Sequence, residues 1–216
     1  MDDTRQQLLD AAGPLFAERG YRATTVRDIC VAAKANQAAI NYHFGDKEKL
    51  YIECVRHAGQ ICKGRVPLPA WPEGTSPRRK LRDFIFMFAS RVVVDYLPAW
   101  HSQLIMREML MPTRACAEFV TQFVQPQVAV LQQILAELLP SEMPERQRMM
   151  IGFSVVGQIL HYRSTRPVLT MIMGDELFRS LDVETLTEHV TAFSLAAIDR
   201  FASSASALSS SAKEPT

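Results

Sequence analysis

Four cysteines among 216 residues (Cys30, Cys54, Cys62 and Cys116) include no C-x-x-C pair, and their spacing suggests no disulfide framework. No apolar run approaches the ~18 residues of a membrane span. The opening Met1-Asp2-Asp3-Thr4 lacks the basic region and apolar stretch of a secretory signal, so a cytoplasmic chain with reduced thiols is the expectation. Charge of one sign is also lacking. The 24 basic and 23 acidic side chains leave a formal net charge of +1, so any polyanion binding must come from local arrangement. There is no G-x-S-x-G, H-E-x-x-H, P-loop or glycine-rich dinucleotide turn, and neither a catalytic centre nor a cofactor is expected. Cys54, His57 and Cys62 share one helix, but Cys62 is rotated away and no fourth ligand is evident. Buried thiols, not a metal site, are the reading.

Period-two alternation and Asn-Gly turns are absent too, while apolar residues recur at helical spacing throughout. The fold class is therefore all-α, with a substantial core permitted by 48% apolar residues. Residues 1–63 read as short helices with tight turns. Arg65-Val-Pro-Leu-Pro-Ala-Trp-Pro-Glu-Gly-Thr-Ser-Pro77 cannot continue a helix, so 64–77 is the expected linker. Five longer helices are expected at about 77–96, 98–111, 113–139, 144–166 and 182–203, the third kinked by Pro126. They form a second domain over 78–203, and 204–216 is a low-complexity, mobile tail.

In the first module, Thr4-x-x-Gln7 has the form of a capping box, and Leu8, Leu9, Ala12, Leu15 and Phe16 share a face that Gly20 ends. Pro14 inside this helix removes a backbone bond and costs about 3 kcal/mol unless the helix bends. A second helix begins at Thr24/Thr25. After Lys34-Ala35-Asn36, Asn36 caps a two-turn third helix, Gln37–Phe44, held by Ile40 and Phe44. Two short helices joined by such a turn and braced by a third form a helix-turn-helix. That motif presents its second helix to a DNA major groove. Here the outward positions carry Gln37, Asn41, Tyr42 and His43. Amides can pair with adenine, and Tyr or His can reach phosphates.

The strings Leu15-Phe-Ala-Glu-Arg-Gly-Tyr21, Thr24-Thr-Val-Arg-Asp-Ile29 and Ile40-Asn-Tyr-His-Phe-Gly-Asp-Lys-Glu-Lys-Leu50 are similar to the N-terminal domain of the TetR family. The resemblance implies an N-terminal three-helix helix-turn-helix domain joined to a C-terminal helical effector and dimerisation domain. It implies a homodimer on a near-palindromic double-stranded DNA operator, acting as a repressor that a small-molecule effector releases. Carried over by position, Thr25, Arg27, Gln37, Ala38, Asn41, Tyr42, His43 and Lys47 face DNA. Arg27 and Asn41 are the base readers, and Tyr42, His43 and Lys47 hold phosphates. Two features depart from the family pattern. Lys34 stands where the turn usually carries glycine, at a cost of about 1–2 kcal/mol if left-handed. Residues 1–63 hold nine basic and eight acidic side chains, so a modest salt dependence is expected.

In the second domain, the helix 144–166 is apolar almost all round, which predicts burial on most sides. The last helix, with Leu186, Val190, Phe193, Ala197, Ile198 and Phe201, offers a matching face. Two such helices per chain form either a four-helix dimer interface or an intramolecular core. Ser154, Gln158, His161 and Thr165 make a polar stripe that needs partners. Hydrogen bonds between helices or subunits would serve, as would a pocket for a polar or anionic small molecule. The effector-binding candidates are Trp100, Gln103, Arg107, Gln158, His161, Tyr162 and Arg166. The methionines around 106–111 are either core or an adaptable pocket wall. Arg107–Pro112 and Gly157–Pro167 resemble the CecR-like branch of the family. A competing reading is a helical small-molecule carrier or enzyme whose N-terminal bundle is purely structural.

Overall fold

The computed structural model describes residues 3–94 and 98–211, and all regular structure among them is helical. The elements are α1 (Asp3–Ala23), α2 (Val26–Ala33), α3 (Gln37–Phe44), α4 (Lys47–Arg65), α5 (Pro77–Val93) and α6 (Trp100–Leu110). Then come α7 (Ala115–Phe119), α8 (Gln125–Leu138), α9 (Glu145–Ser164), α10 (Arg166–Met173), α11 (Asp175–Arg179) and α12 (Val183–Ser211). The chain divides into two compact units, Met1–Arg65 with Asp95–Gln125, and Val66–Val94 with Pro126–Thr216. This division differs from a single cut at the linker. The stretch through α6 and α7 belongs with the N-terminal helices, and the proline-rich segment belongs with the second unit.

The N-terminal unit closes around Leu8, Ala12 and Phe16 of α1, Ile29, Ile40, and Leu50, Cys54 and Val55 of α4, joined by Trp100 and Leu104 of α6. Two glycines let this happen. The Trp100 ring lies where a Cβ on Gly13 would stand, at 2.5 Å, and the Phe123 ring does the same to Gly59 at 2.8 Å. Pro14 sits on the exposed side of α1, where a carbonyl left without its donor is open to water, and the helix continues past it. Gly20 breaks the helical path with φ +83°, but the chain resumes a helical turn through Ala23. The Thr4–Gln7 capping box does not form, because α1 already begins at Asp3 and Thr4 lies inside its first turn.

The C-terminal unit packs Leu81, Phe84 and Ile85 of α5 against Leu131, Ile134 and Leu135 of α8, Val155 and Ile159 of α9, and Val190 and Ile198 of α12. Its linker is anchored. Trp71 Nε1 donates to Asp83 Oδ2 at 3.0 Å, and Arg91 Nε donates to the Val66 carbonyl at 2.7 Å. The single helix expected over 113–139 is divided into α7 and α8 by a π-helical turn at Val120–Val124, just upstream of Pro126. The short helices α10 and α11 were not anticipated from sequence, and α12 runs to Ser211, beyond the expected end at 203. The rest of the expected tail, residues 212–216, lies outside the described residues, as do residues 95–97 at the end of the first long helix.

Candidate nucleic-acid interface

Local hydrogen bonds define each end of α2 and α3. Thr25 caps α2: its Oγ1 accepts from the Asp28 N–H at 3.1 Å and donates to Asp28 Oδ2 at 2.7 Å. The same carboxylate accepts from the Thr25 N–H at 2.9 Å, closing a capping box. These bonds, helped by Arg19 and Arg27, hold the Asp28 carboxyl below its ordinary pKa. Lys34 ends α2 in the left-handed region (φ 50°, ψ 39°), the one non-glycine residue there among those described. Asn36 Oδ1 accepts from the Ala39 N–H at 2.9 Å and starts α3. Gly45, at φ +87°, stops α3 by returning its N–H to the Ile40 and Asn41 carbonyls. Asp46 Oδ1 then accepts from the Lys49 N–H at the head of α4.

Between these caps, Ile40 and Phe44 point into the core, Ala39 packs partly against it, and the other side of α3 is left to solvent. Gln37, Ala38 and Asn41 are exposed, and Tyr42 is the most open at 84%. His43 is half-buried, its ring edge-on to Tyr42 with centroids 4.9 Å apart. Thr25 and Arg27 are exposed at the start of α2. Seven of the eight residues expected to face DNA thus keep surface on α2 and α3.

Lys47 behaves differently. Its Nζ donates to the carbonyls of Tyr21 and Thr24, both at 2.9 Å, and sits 4.3 Å from the Tyr21 ring centroid. Two of its three donors brace the entry to α2, because the break at Gly20 leaves helix-end carbonyls in need of partners. The motif alone carries no signal for this role.

The expected effector residues fall in both units. Trp100 is buried over Gly13, stacked near His57. Arg107 donates to the carbonyls of Glu18 (3.3 Å) and Arg19 (3.2 Å), closing the C-terminal end of the straight part of α1. Its guanidinium lies where a Cβ on Gly20 would stand, and the φ of +83° itself favours glycine there. Gln103 is exposed. These three serve or flank the N-terminal bundle. In the C-terminal unit, Gln158 Nε2 donates to the Ser154 carbonyl (3.2 Å) and to Ser194 Oγ on α12 (3.3 Å). His161 is exposed, Tyr162 is half-buried, and the Arg166 guanidinium stands 5.9 Å from the Phe178 ring centroid.

The burial expected of α9 on most sides is not met within one chain. Met150 (58%), Phe153 (59%), Ser154, Gly157 and His161 form one exposed stripe, and Gly157 has open space around it. On α12, Phe193 (62%) is exposed together with Ala192, Ala196 and Ala197. Much of the polar stripe is satisfied inside its own helix. Ser154 Oγ donates to the Met150 carbonyl, and Thr165 Oγ1 donates to the His161 carbonyl. The sequence pattern showed α9 to be apolar on more than one face, but not that one of those faces is left bare.

Two family models match the chain. The one described as "Bacterial regulatory proteins, tetR family" covers residues 8–54. The one described as "HTH-type transcriptional dual regulator CecR, C-terminal domain" covers residues 77–198, more than half of the chain. The chain belongs to the TetR family. It is 26% identical over 200 residues to the HTH-type transcriptional dual regulator CecR of Shigella flexneri, covering 88% of this chain and 89% of that protein. TetR-type architecture also appears in solved structures. A TetR-like regulator from Rhodococcus sp. RHA1 superposes with a TM-score of 0.65 at 17% identity, covering 90% of this chain and 94% of that one. AibR, in complex with isovaleryl coenzyme A and operator DNA, gives a TM-score of 0.57 at 18% identity, covering 75% and 86%. TetR-family membership makes this chain a DNA-binding transcriptional regulator, and the α2–α3 pair is its helix-turn-helix. No helix among the described residues is long and apolar enough to cross a membrane.

Proposed function

We propose that this protein is a cytoplasmic repressor whose homodimer holds a near-palindromic operator and is released by a small-molecule effector. The observation that carries the DNA half is the exposed tip of α3. Gln37, Asn41 and Tyr42 project from a helix pinned by caps at both ends and by Ile40 and Phe44 in the core. Asn41 and Arg27 read bases, whereas Thr25, Gln37, Ala38, Tyr42 and His43 set the helix on the backbone and groove wall. Lys47 acts chiefly as a brace, with one donor left for a phosphate.

The dimer forms through the bare stripe of α9 and the exposed side of α12. A four-helix contact of this kind would bury Met150, Phe153 and Phe193, and would place two α3 helices about 34 Å apart for successive major grooves. Effector binding belongs to the C-terminal unit, narrowed to Gln158, Tyr162, His161 and Arg166, since Trp100 and Arg107 hold α1. Polar atoms in that unit support this placement: Gln132 Oε1, Arg148 Nε and Thr191 Oγ1 are enclosed without a hydrogen-bond partner. Such groups are costly unless a polar molecule meets them.

Anisotropy titration of labelled genomic fragments, including the region upstream of the gene itself, tests the reading. A specific site is expected to bind at least about 10³-fold tighter than random DNA at moderate salt. A folded dimer with no preferred fragment would refute it.

A further inference from the structure

The N-terminal unit contains a concavity that the helix-turn-helix does not use. It is a cleft of about 700 Å³ between the end of α1, one side of α4, and the end of α6 with the loop that follows. That size suits a small organic molecule. Four arginines line it, Arg19, Arg22, Arg107 and Arg114, against the single acid Glu48. Glu48 is met by Arg114 at 3.4 Å, and the ion pair of Arg19 with Glu18 is a long one at 3.9 Å. Arg22 is exposed and enters no ion pair among the described residues. In a chain with net charge +1 this is a local excess of cation, and guanidinium forks match carboxylate and phosphate oxygens. Ile52, Met111 and Pro112 give its lining an apolar part.

We infer that this cleft binds an amphipathic organic anion, a phosphate or carboxylate carried on an apolar body. The head group sits among Arg19, Arg22 and Arg114, and the apolar part lies on Ile52 and Met111. A DNA backbone phosphate would use the arginines and leave the apolar lining idle, which separates the two sources of anion. The site also touches what positions the helix-turn-helix. Tyr21 lines the cleft, and its carbonyl and ring both hold Lys47, which in turn bonds the Thr24 carbonyl one residue before the α2 cap. Occupancy therefore bears on α2 without passing through the C-terminal unit.

Calorimetry on the full chain without DNA tests the site, using octyl phosphate below its aggregation concentration and octyl glucoside as the uncharged control. Octyl phosphate is expected to bind at least tenfold tighter than octyl glucoside. Arg22→Glu with Arg114→Glu, both at exposed positions, is expected to weaken octyl phosphate at least tenfold with helical content unchanged. Arg146→Glu, an exposed arginine of α9, is expected to leave it within twofold. Equal binding of the two probes, no binding at millimolar octyl phosphate, or equal losses from the α9 variant and the cleft variant would each overturn the inference. Because DNA is absent, failure here leaves the operator reading standing, and failure of the operator reading leaves this one intact.

Discussion

The α3 helix and the α9–α12 pair both leave large side chains in solvent, but of opposite chemistry. On α3 the exposed groups are amides, a phenol and a half-open imidazole, standing on a helix whose two large aliphatic and aromatic anchors, Ile40 and Phe44, are buried in its own core. On α9 and α12 the exposed groups are Met150, Phe153 and Phe193 beside small residues, on helices whose inner faces are already packed. A hydrogen-bonding tip needs a partner with edges to read, whereas a bare apolar stripe flanked by alanine and glycine needs another such stripe. The first surface suits a nucleic acid, and the second suits the self-contact proposed for the dimer.

The strongest way to break this contrast is to make the second surface polar. Phe153→Glu with Phe193→Glu should yield monomers by sedimentation equilibrium and lower operator affinity at least about 100-fold, since each half-site then binds alone. A double variant that stays dimeric would show the stripe to be ordinary surface.

Next in size is the polar anchor beneath the DNA-binding unit. Glu108 is fully buried and accepts from Tyr51 Oη (2.6 Å), the Thr113 N–H (2.7 Å) and Thr113 Oγ1 (2.9 Å). Glu108→Ala strands three donors and should cost about 3 kcal/mol. At fixed protein concentration that is a fall in melting temperature of roughly 6–12 °C.

The helix-turn-helix was legible before any coordinates because its information is local. Asn36 as cap, Gly45 as stop and Ile40 with Phe44 as core positions lie within ten residues of one another and behave as their chemistry dictates. What stayed hidden depends on distant partners. Lys47 reads as a DNA-facing cation until the carbonyls of Tyr21 and Thr24 are seen around it, and Arg107 reads as a pocket residue until it is found on Glu18 and Arg19. The bareness of α9 is of the same kind: periodicity counts apolar positions but does not say which are covered by the chain's own helices. The π-helical turn just before Pro126 is local, but composition does not announce it.

Acid sharpens the comparison because it should loosen the N-terminal unit selectively. Burial, with His57 and Arg65 nearby, lowers the His101 pKa to about 4. The unfolded imidazole titrates near 6.5, so between roughly 6.5 and 4 the unfolded chain binds more protons and stability falls as pH falls. The total loss is about 2–3 kcal/mol, complete near pH 4 and absent above pH 7. His101→Phe should flatten that part of the stability–pH profile in chemical denaturation, and an unchanged slope would assign acid sensitivity elsewhere.

On the DNA-facing surface itself, Asn41→Ala should lose about 1–3 kcal/mol of discrimination against changed operator bases, and affinity for random DNA should stay within about threefold. Equal losses on all sequences would move base reading to Arg27.

The smallest expected effect concerns the turn that joins the two short helices. Lys34 holds φ 50° without a glycine's freedom, at a cost of about 1–2 kcal/mol, and its side chain is exposed. Lys34→Gly relieves the strain but adds backbone entropy to the unfolded chain, so the net gain should be about 0.5–1 kcal/mol. That corresponds to a rise in melting temperature of roughly 1–4 °C. A strained lysine beside the α3 cap makes sense if its ammonium meets a phosphate. The slope of log affinity against log salt should then shrink by about 0.9 in the variant. A stability gain with no change in slope would mean that the positive charge does nothing for DNA, and that the even charge of this module reaches down to its turn.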